Sequence, residues 1–160
     1  MNKNILFIVQ AAIIAALYTV LTIIFMPISF GHNIFQIRVA EILTILPALL
    51  PASIPGLFVG CIVSNIIGGF GPIDIIFGSI ATLLAAFLSR CLRKYPVLVP
   101  LPPLVLNALI VGTYLKYLYM KDIPLAISMG WVALGELVSC YLLGLPLLLF
   151  LQKKKIFAQE

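Results

Sequence analysis

Charge is scarce in this sequence: 9% of its 160 residues are charged, with ten Lys or Arg, five Asp or Glu and a single histidine. Soluble domains carry about 25% charged residues. A chain that is 63% hydrophobic, with mean hydropathy +1.22, would expose a contiguous apolar surface to water. An aqueous catalytic domain is excluded, and the bilayer is the expected solvent. An intramembrane protease or lipid transferase also lacks its parts. The one histidine, His32, falls between apolar runs, where a solvated loop residue is expected, and no G-x-S-x-G segment or metal-ligand cluster accompanies it. No G-x-x-x-x-G-K-[ST] segment occurs, so the chain is not itself an ATPase. Cys61, Cys91 and Cys140 have no C-x-x-C spacing and lie within apolar runs, so small hydrophobes are expected there, with no disulfide and no metal.

What is present is apolar sequence in helix-length pieces. A span needs about 20 apolar residues, and Pro, Gly and charged residues divide the chain into six runs, near 5–26, 35–50, 54–68, 72–92, 97–119 and 124–151. The expected fold is therefore all-α and integral to the membrane, with one six-helix domain over residues 1–160. The second and third runs are short. Leu50-Pro51-Ala52-Ser53-Ile54-Pro55-Gly56 separates them, its two prolines and glycine favouring a tight turn. Lys3 before an apolar run resembles a secretory signal, but the run continues past Met26 without a small-residue cleavage site and is expected to be retained as a span.

Basic residues set the orientation. With the N-terminus inside, Lys3, Arg90, Arg93, Lys94, Lys153, Lys154 and Lys155 fall on the cytoplasmic side, against Lys121 and the nearby Lys116 outside. Both termini are then cytoplasmic. The net charge of +5 is an orientation signal, and without a basic stripe interleaved with exposed aromatics no nucleic-acid partner is expected.

Ionisable residues inside a membrane are costly and are functional candidates. In this topology Arg38 and Glu41 on the second helix, Asn65 near the end of the third, Asp74 opening the fourth, Tyr114, Lys116 and Tyr117 on the fifth and Trp131 on the sixth all fall in the outer half. Asn107 is twelve residues below Tyr119, and Glu136 twelve below Pro124. At 1.5 Å per residue both lie about 18 Å down, at one depth. This one-sided polarity predicts a pocket open to the outside and floored near the midplane, lined by Asn107, Val111 and Tyr114 on one face and Met129, Val132 and Glu136 on another. Plainer roles compete. Arg38 and Glu41, three apart, fit a self-neutralised structural pair as well as ligand contact; Trp131 and Tyr114 fit interfacial anchors or stacking partners; Asp74 fits a helix cap; Lys116 fits outward snorkelling. Glu136, with no cation within a turn on its own helix, needs a partner from another helix, a proton or a ligand. Ala11, Ala12, Ala15 and Ala16 form two overlapping Ala-x-x-x-Ala pairs, a spacing that admits a close helix from within the fold or from a partner.

Three segments carry a resemblance. Arg38-Val39-Ala40-Glu41-Ile42-Leu43-Thr44-Ile45-Leu46-Pro47, Gly56-Leu57-Phe58-Val59-Gly60-Cys61-Ile62-Val63-Ser64-Asn65 and Asp74-Ile75-Ile76-Phe77-Gly78-Ser79-Ile80-Ala81-Thr82-Leu83 closely resemble the QueT family. Its members are substrate-binding S components of energy-coupling factor (ECF) transporters assigned to queuosine precursors. The similarity runs through nearly the whole chain, including Asn107 and Gly135-Glu136; Ile42 stands where the family pattern leads one to expect Ala.

The resemblance implies the six-helix ECF S-component fold with cytoplasmic termini, in the plasma membrane of a bacterium. It implies a site near the outer face, built by the loops after the first, third and fifth helices with the last three helices. It implies partners, namely a transmembrane coupling subunit that docks on the alanine stripe and two ABC-type ATPases that use ATP; this chain holds no cofactor. A deazaguanine ring with an aminomethyl arm presents donors, a carbonyl, two flat faces and an ammonium. Glu136, Asn107, Trp131 with Tyr114, and Asp74 supply one group for each, with Glu41 an alternative to Asp74 and Arg38 to Asn107. Another small nucleobase or a vitamin-like ligand remains open, as does a self-sufficient carrier, although no inverted repeat is evident.

Overall fold

The computed structural model describes residues 2–29, 37–118 and 121–154, and these are organised into six helical rods with no strand among them. Four rods are long and apolar enough to cross a membrane: Lys3–Ile24, Asp74–Cys91, Pro96–Leu118 and Leu125–Lys153. Two are shorter, Val39–Ala48 and Ser53–Ile67. Large apolar side chains such as Ile8, Ile13, Val20, Leu109, Leu142 and Phe150 point outward along the rods, the surface expected of a multi-pass membrane protein.

Helix α1 (Lys3–Ile24) buries only the stripe Ile14, Tyr18 and Thr22, one position per turn. A four-residue helix, α2 (Met26–Ser29), follows it. The stripe packs on α3 (Ser53–Ile67), where Gly56 and Gly60 let the two backbones meet. A Cβ at Gly56 would lie 2.7 Å from the Ala11 carbonyl oxygen, and one at Gly60 would lie 2.9 Å from that of Ala15 and from Tyr18 Cβ. Ala11 and Ala15 are therefore committed to packing within the chain, whereas Ala12 and Ala16 are exposed. The turn between the second and third rods is where the sequence predicts it, but Pro55 and Gly56 belong to α3. A proline in the first turn of a helix forfeits no hydrogen bond.

The second rod is the centre of the core. Val39–Ala48 is a 3-10 helix of 10 residues in which Ala40, Glu41 and every residue from Leu43 to Ala48 are buried. At about 2.0 Å per residue it reaches roughly 20 Å, against about 15 Å for an α-helix of that length. Three residues per turn also align Glu41, Thr44 and Pro47 on one ridge. The rod touches α1, α4 (Ser79–Cys91) and the segment Leu137–Gly144. At its C-terminal end Arg90 donates from Nη1 to the carbonyls of Pro47 (3.0 Å) and Ala48 (3.3 Å). Replacing Arg90 with Met should strand these carbonyls and destabilise the fold by about 1–2 kcal/mol, read as a lowered Tm in detergent; an unchanged Tm would remove this cap.

The last three rods are adjacent. The fourth packs on α5 (Leu101–Leu118), and α5 on α6 (Leu125–Glu136). Gly112 permits that second contact, since a Cβ there would stand 2.8 Å from Met129 Cα. The sixth rod continues from α6 through the π-helical stretch Leu137–Gly144 into α7 (Leu145–Lys153).

Candidate ligand-binding site

Among the described residues three acidic side chains are buried, and each lies on or beside helix that departs from α geometry. Glu41 is in the 3-10 rod, Asp74 opens the π turn Asp74–Gly78, and Glu136 immediately precedes the π stretch Leu137–Gly144. π segments recur at functional sites because the extra residue re-aims side chains and backbone groups. In an apolar medium such irregular backbone is tolerated only where protein or a polar cavity meets it.

The upper part of the cluster is organised by Asp74. Its Oδ1 accepts from the Tyr114 hydroxyl at 2.6 Å and lies 3.7 Å from Arg38 Nη2. Its carbonyl accepts from Asn65 Nδ2 at 2.8 Å. The connection from α3 is tight enough for this contact because Gly69 and Gly71 take positive φ, 66° and 95°. Arg38 stands at the head of the 3-10 rod with Glu41, Asp74, Tyr18 and Tyr114 as its electrostatic neighbours.

Below lies the second group. Asn107 Nδ2 donates to Glu136 Oε1 at 2.8 Å, and Cys140 Sγ lies 3.3 Å from Glu136 Oε2. Tyr18 donates its hydroxyl to Glu41 Oε1 at 2.6 Å, and Thr44 Oγ1 donates to the Glu41 carbonyl at 2.6 Å. Glu41 Oε2 and Asn107 Oδ1 are buried without a hydrogen-bond partner. Glu41, Asn107 and Glu136 are 0%, 0% and 2% exposed. These side chains are closed over by protein, where the sequence predicts walls of an open pocket. Glu41, Asp74 and Glu136 gather in the electrostatic neighbourhood of the Arg38 guanidinium, so the cluster is rich in acceptors. Among the described residues no group of three His, Cys, Asp or Glu side chains is placed to hold a metal ion.

The QueT transporter family model matches residues 8–153. The chain belongs to the QueT transporter family. No curated protein and no solved structure matches it.

Asn107 and Glu136, set at one depth by counting, are in contact in this QueT chain. Arg38, Glu41, Asn65, Asp74 and Tyr114 join the same cluster through the bonds given above. The expected structural pair is different in detail: the ion pair of Arg38 is with Asp74, on another rod. The Asp74 side chain, which the sequence fits to a helix cap, crosses to α5, where it accepts from Tyr114. Trp131 is half-buried, and Tyr117 is exposed. Lys116 turns to the rim, where its Nζ donates to the Lys121 carbonyl. His32 lies outside the described residues.

Tyr18 and Cys140 are members of the cluster that sequence reasoning missed. Tyr18 shares a face with Ile14 and Thr22, the buried stripe of α1, and that shared face is the signal that could have found it. Cys140 reads as a small hydrophobe, but it is one turn beyond Glu136 and so on its face.

Proposed function

We propose that this QueT chain is the membrane-embedded substrate-binding subunit of an ECF-type importer that captures a queuosine precursor, a 7-deazaguanine base or a related compound, from outside the cell. The observation that carries the reading is the enclosed cluster of Glu41, Asp74, Glu136, Asn107 and Arg38. A deazaguanine edge has adjacent N–H donors and a carbonyl, and it suits a site with carboxylates at its floor and an amide and a guanidinium beside them. Tyr114 and Trp131 are the aromatic groups for the ring faces. The partners are a transmembrane coupling subunit and two ABC ATPases, which consume ATP. The docking surface is α1, where Ala12 and Ala16 are exposed and small. Titration of the purified protein in detergent with 7-aminomethyl-7-deazaguanine, queuine, queuosine and guanine tests the reading. Saturable binding of one or more deazaguanines in preference to guanine is expected, and binding of none of them overturns it.

The location is the bacterial plasma membrane with both termini in the cytoplasm, supported by the bias of Lys and Arg toward one side. In a Cys91→Ala background, which removes the exposed native thiol while Cys61 and Cys140 are buried, Asp122→Cys should react with an impermeant maleimide on intact cells. Lys154→Cys should react only after lysis. The opposite pattern would invert the orientation and put the acidic cluster nearer the cytoplasm.

A further inference from the structure

The polar atoms of the cluster are unequally used. Asp74 is engaged by the Tyr114 hydroxyl and by Arg38, and Asn65 holds its carbonyl. Both oxygens of Glu136 have a donor, from Asn107 and from Cys140. Glu41 differs: Tyr18 fixes Oε1 at 2.6 Å, while Oε2 has no hydrogen-bond partner although the residue is 0% exposed. Asn107, whose amide lies next to Glu41 as well as bonded to Glu136, also has an open acceptor in Oδ1. Two buried acceptors of the cluster are thus without a donor. Burial of such atoms is costly unless a donor reaches them, and more so where one is a carboxylate. Arg38 is ion-paired with Asp74 and has Glu41 as an electrostatic neighbour.

We infer that Glu41, through its open Oε2, recognises a positively charged arm on the ligand, and that Asp74 belongs to the Arg38 and Tyr114 scaffold. An ammonium group has three donors and no acceptor, matching a carboxylate oxygen that is buried and open. A charged donor on a carboxylate makes the stronger, shorter type of hydrogen bond. Glu41 is then the residue that sets specificity for ligand charge, held in place from α1 by Tyr18. This inference rests on the deazaguanine reading and adds the charge of the arm and the residue that reads it.

The test uses two probes that share a ring and differ in the arm, 7-aminomethyl-7-deazaguanine, which is cationic, and 7-cyano-7-deazaguanine, which is neutral. Wild-type protein should prefer the aminomethyl compound. Glu41→Gln keeps the side-chain volume and an acceptor for Tyr18, and should cost about 100-fold in affinity for the cationic probe and under about threefold for the neutral one. Asp74→Asn should change both affinities by a similar factor. Binding of the neutral probe reports that each variant is folded. If Glu41→Gln does not fold, Glu41→Asp retracts the charge by one methylene and should still weaken the cationic probe more than the neutral one. Preserved preference in the Glu41 variants, lost preference in Asp74→Asn, or equal wild-type binding of both probes overturns the assignment of Glu41 alone. Failure of wild-type protein to bind either probe overturns the deazaguanine reading and this inference with it.

Discussion

Glu136→Gln is expected to weaken binding of 7-aminomethyl-7-deazaguanine by about 30- to 1000-fold, equivalent to roughly 2 to 4 kcal/mol, with little change in the thermal stability of the protein alone. The two halves of this expectation have separate origins. Glutamine retains one oxygen, so the Asn107 bond to Oε1 is kept and the contact between α5 and α6 survives. The other oxygen becomes an amide donor. A carboxylate has about four lone-pair sites, of which Asn107 and Cys140 occupy two, and in the proposed function the remainder serve the ligand's N–H edge. An amide donor at that point opposes donor with donor. If Glu136 serves only to join the rods, Tm should fall first and affinity only in proportion. Affinity and Tm measured on one preparation separate these outcomes, and unchanged affinity would take Glu136 out of the site.

The contact between Asn107 and Glu136 was legible because both lie along regular helix, where a rise of 1.5 Å per residue converts counting into depth. The same arithmetic was less informative on the second rod. Arg38 and Glu41 read as an i, i+3 helical pair, but Arg38 stands outside the helix at φ −82° and ψ 87°, and its side chain bridges to Asp74. The two π stretches have no local signature: Asp74-Ile75-Ile76-Phe77-Gly78 and Leu137-Val138-Ser139-Cys140-Tyr141-Leu142-Leu143-Gly144 are ordinary apolar helix sequence. What they meet in the fold distinguishes them. Gly144 packs against Ile45, where a Cβ would come within 3.1 Å of Ile45 Cγ2. Tyr18 could be found only once the buried face of α1 was known.

The alanine stripe shows how one sequence pattern divides between two surfaces, and it leads to a comparison of variants on facing helices. Ala11 and Ala15 meet Gly56 and Gly60, while Ala12 and Ala16 are exposed; four residues in two overlapping i, i+4 pairs cannot reveal this split, but the Gly-x-x-x-Gly spacing of α3 identifies the internal partner. Ala12→Leu or Ala16→Leu should therefore abolish ligand uptake by cells or proteoliposomes containing the coupling subunit and ATPases, while the isolated protein keeps its ligand affinity within about twofold and its Tm, because the added bulk stands outside the fold. Gly60→Leu should behave differently. Its side chain would collide with the Ala15 carbonyl and with Tyr18 Cβ, both 2.9 Å from the Cβ position, and overpacking of this kind costs about 1–3 kcal/mol. Any shift of Tyr18 also loosens the hydroxyl that fixes Glu41 Oε1, so stability and affinity should decline together. Normal uptake by both alanine variants would make their face lipid-exposed and remove it as the docking surface. Unchanged Tm in Gly60→Leu would contradict the close approach of α1 and α3 that separates the two halves of the stripe.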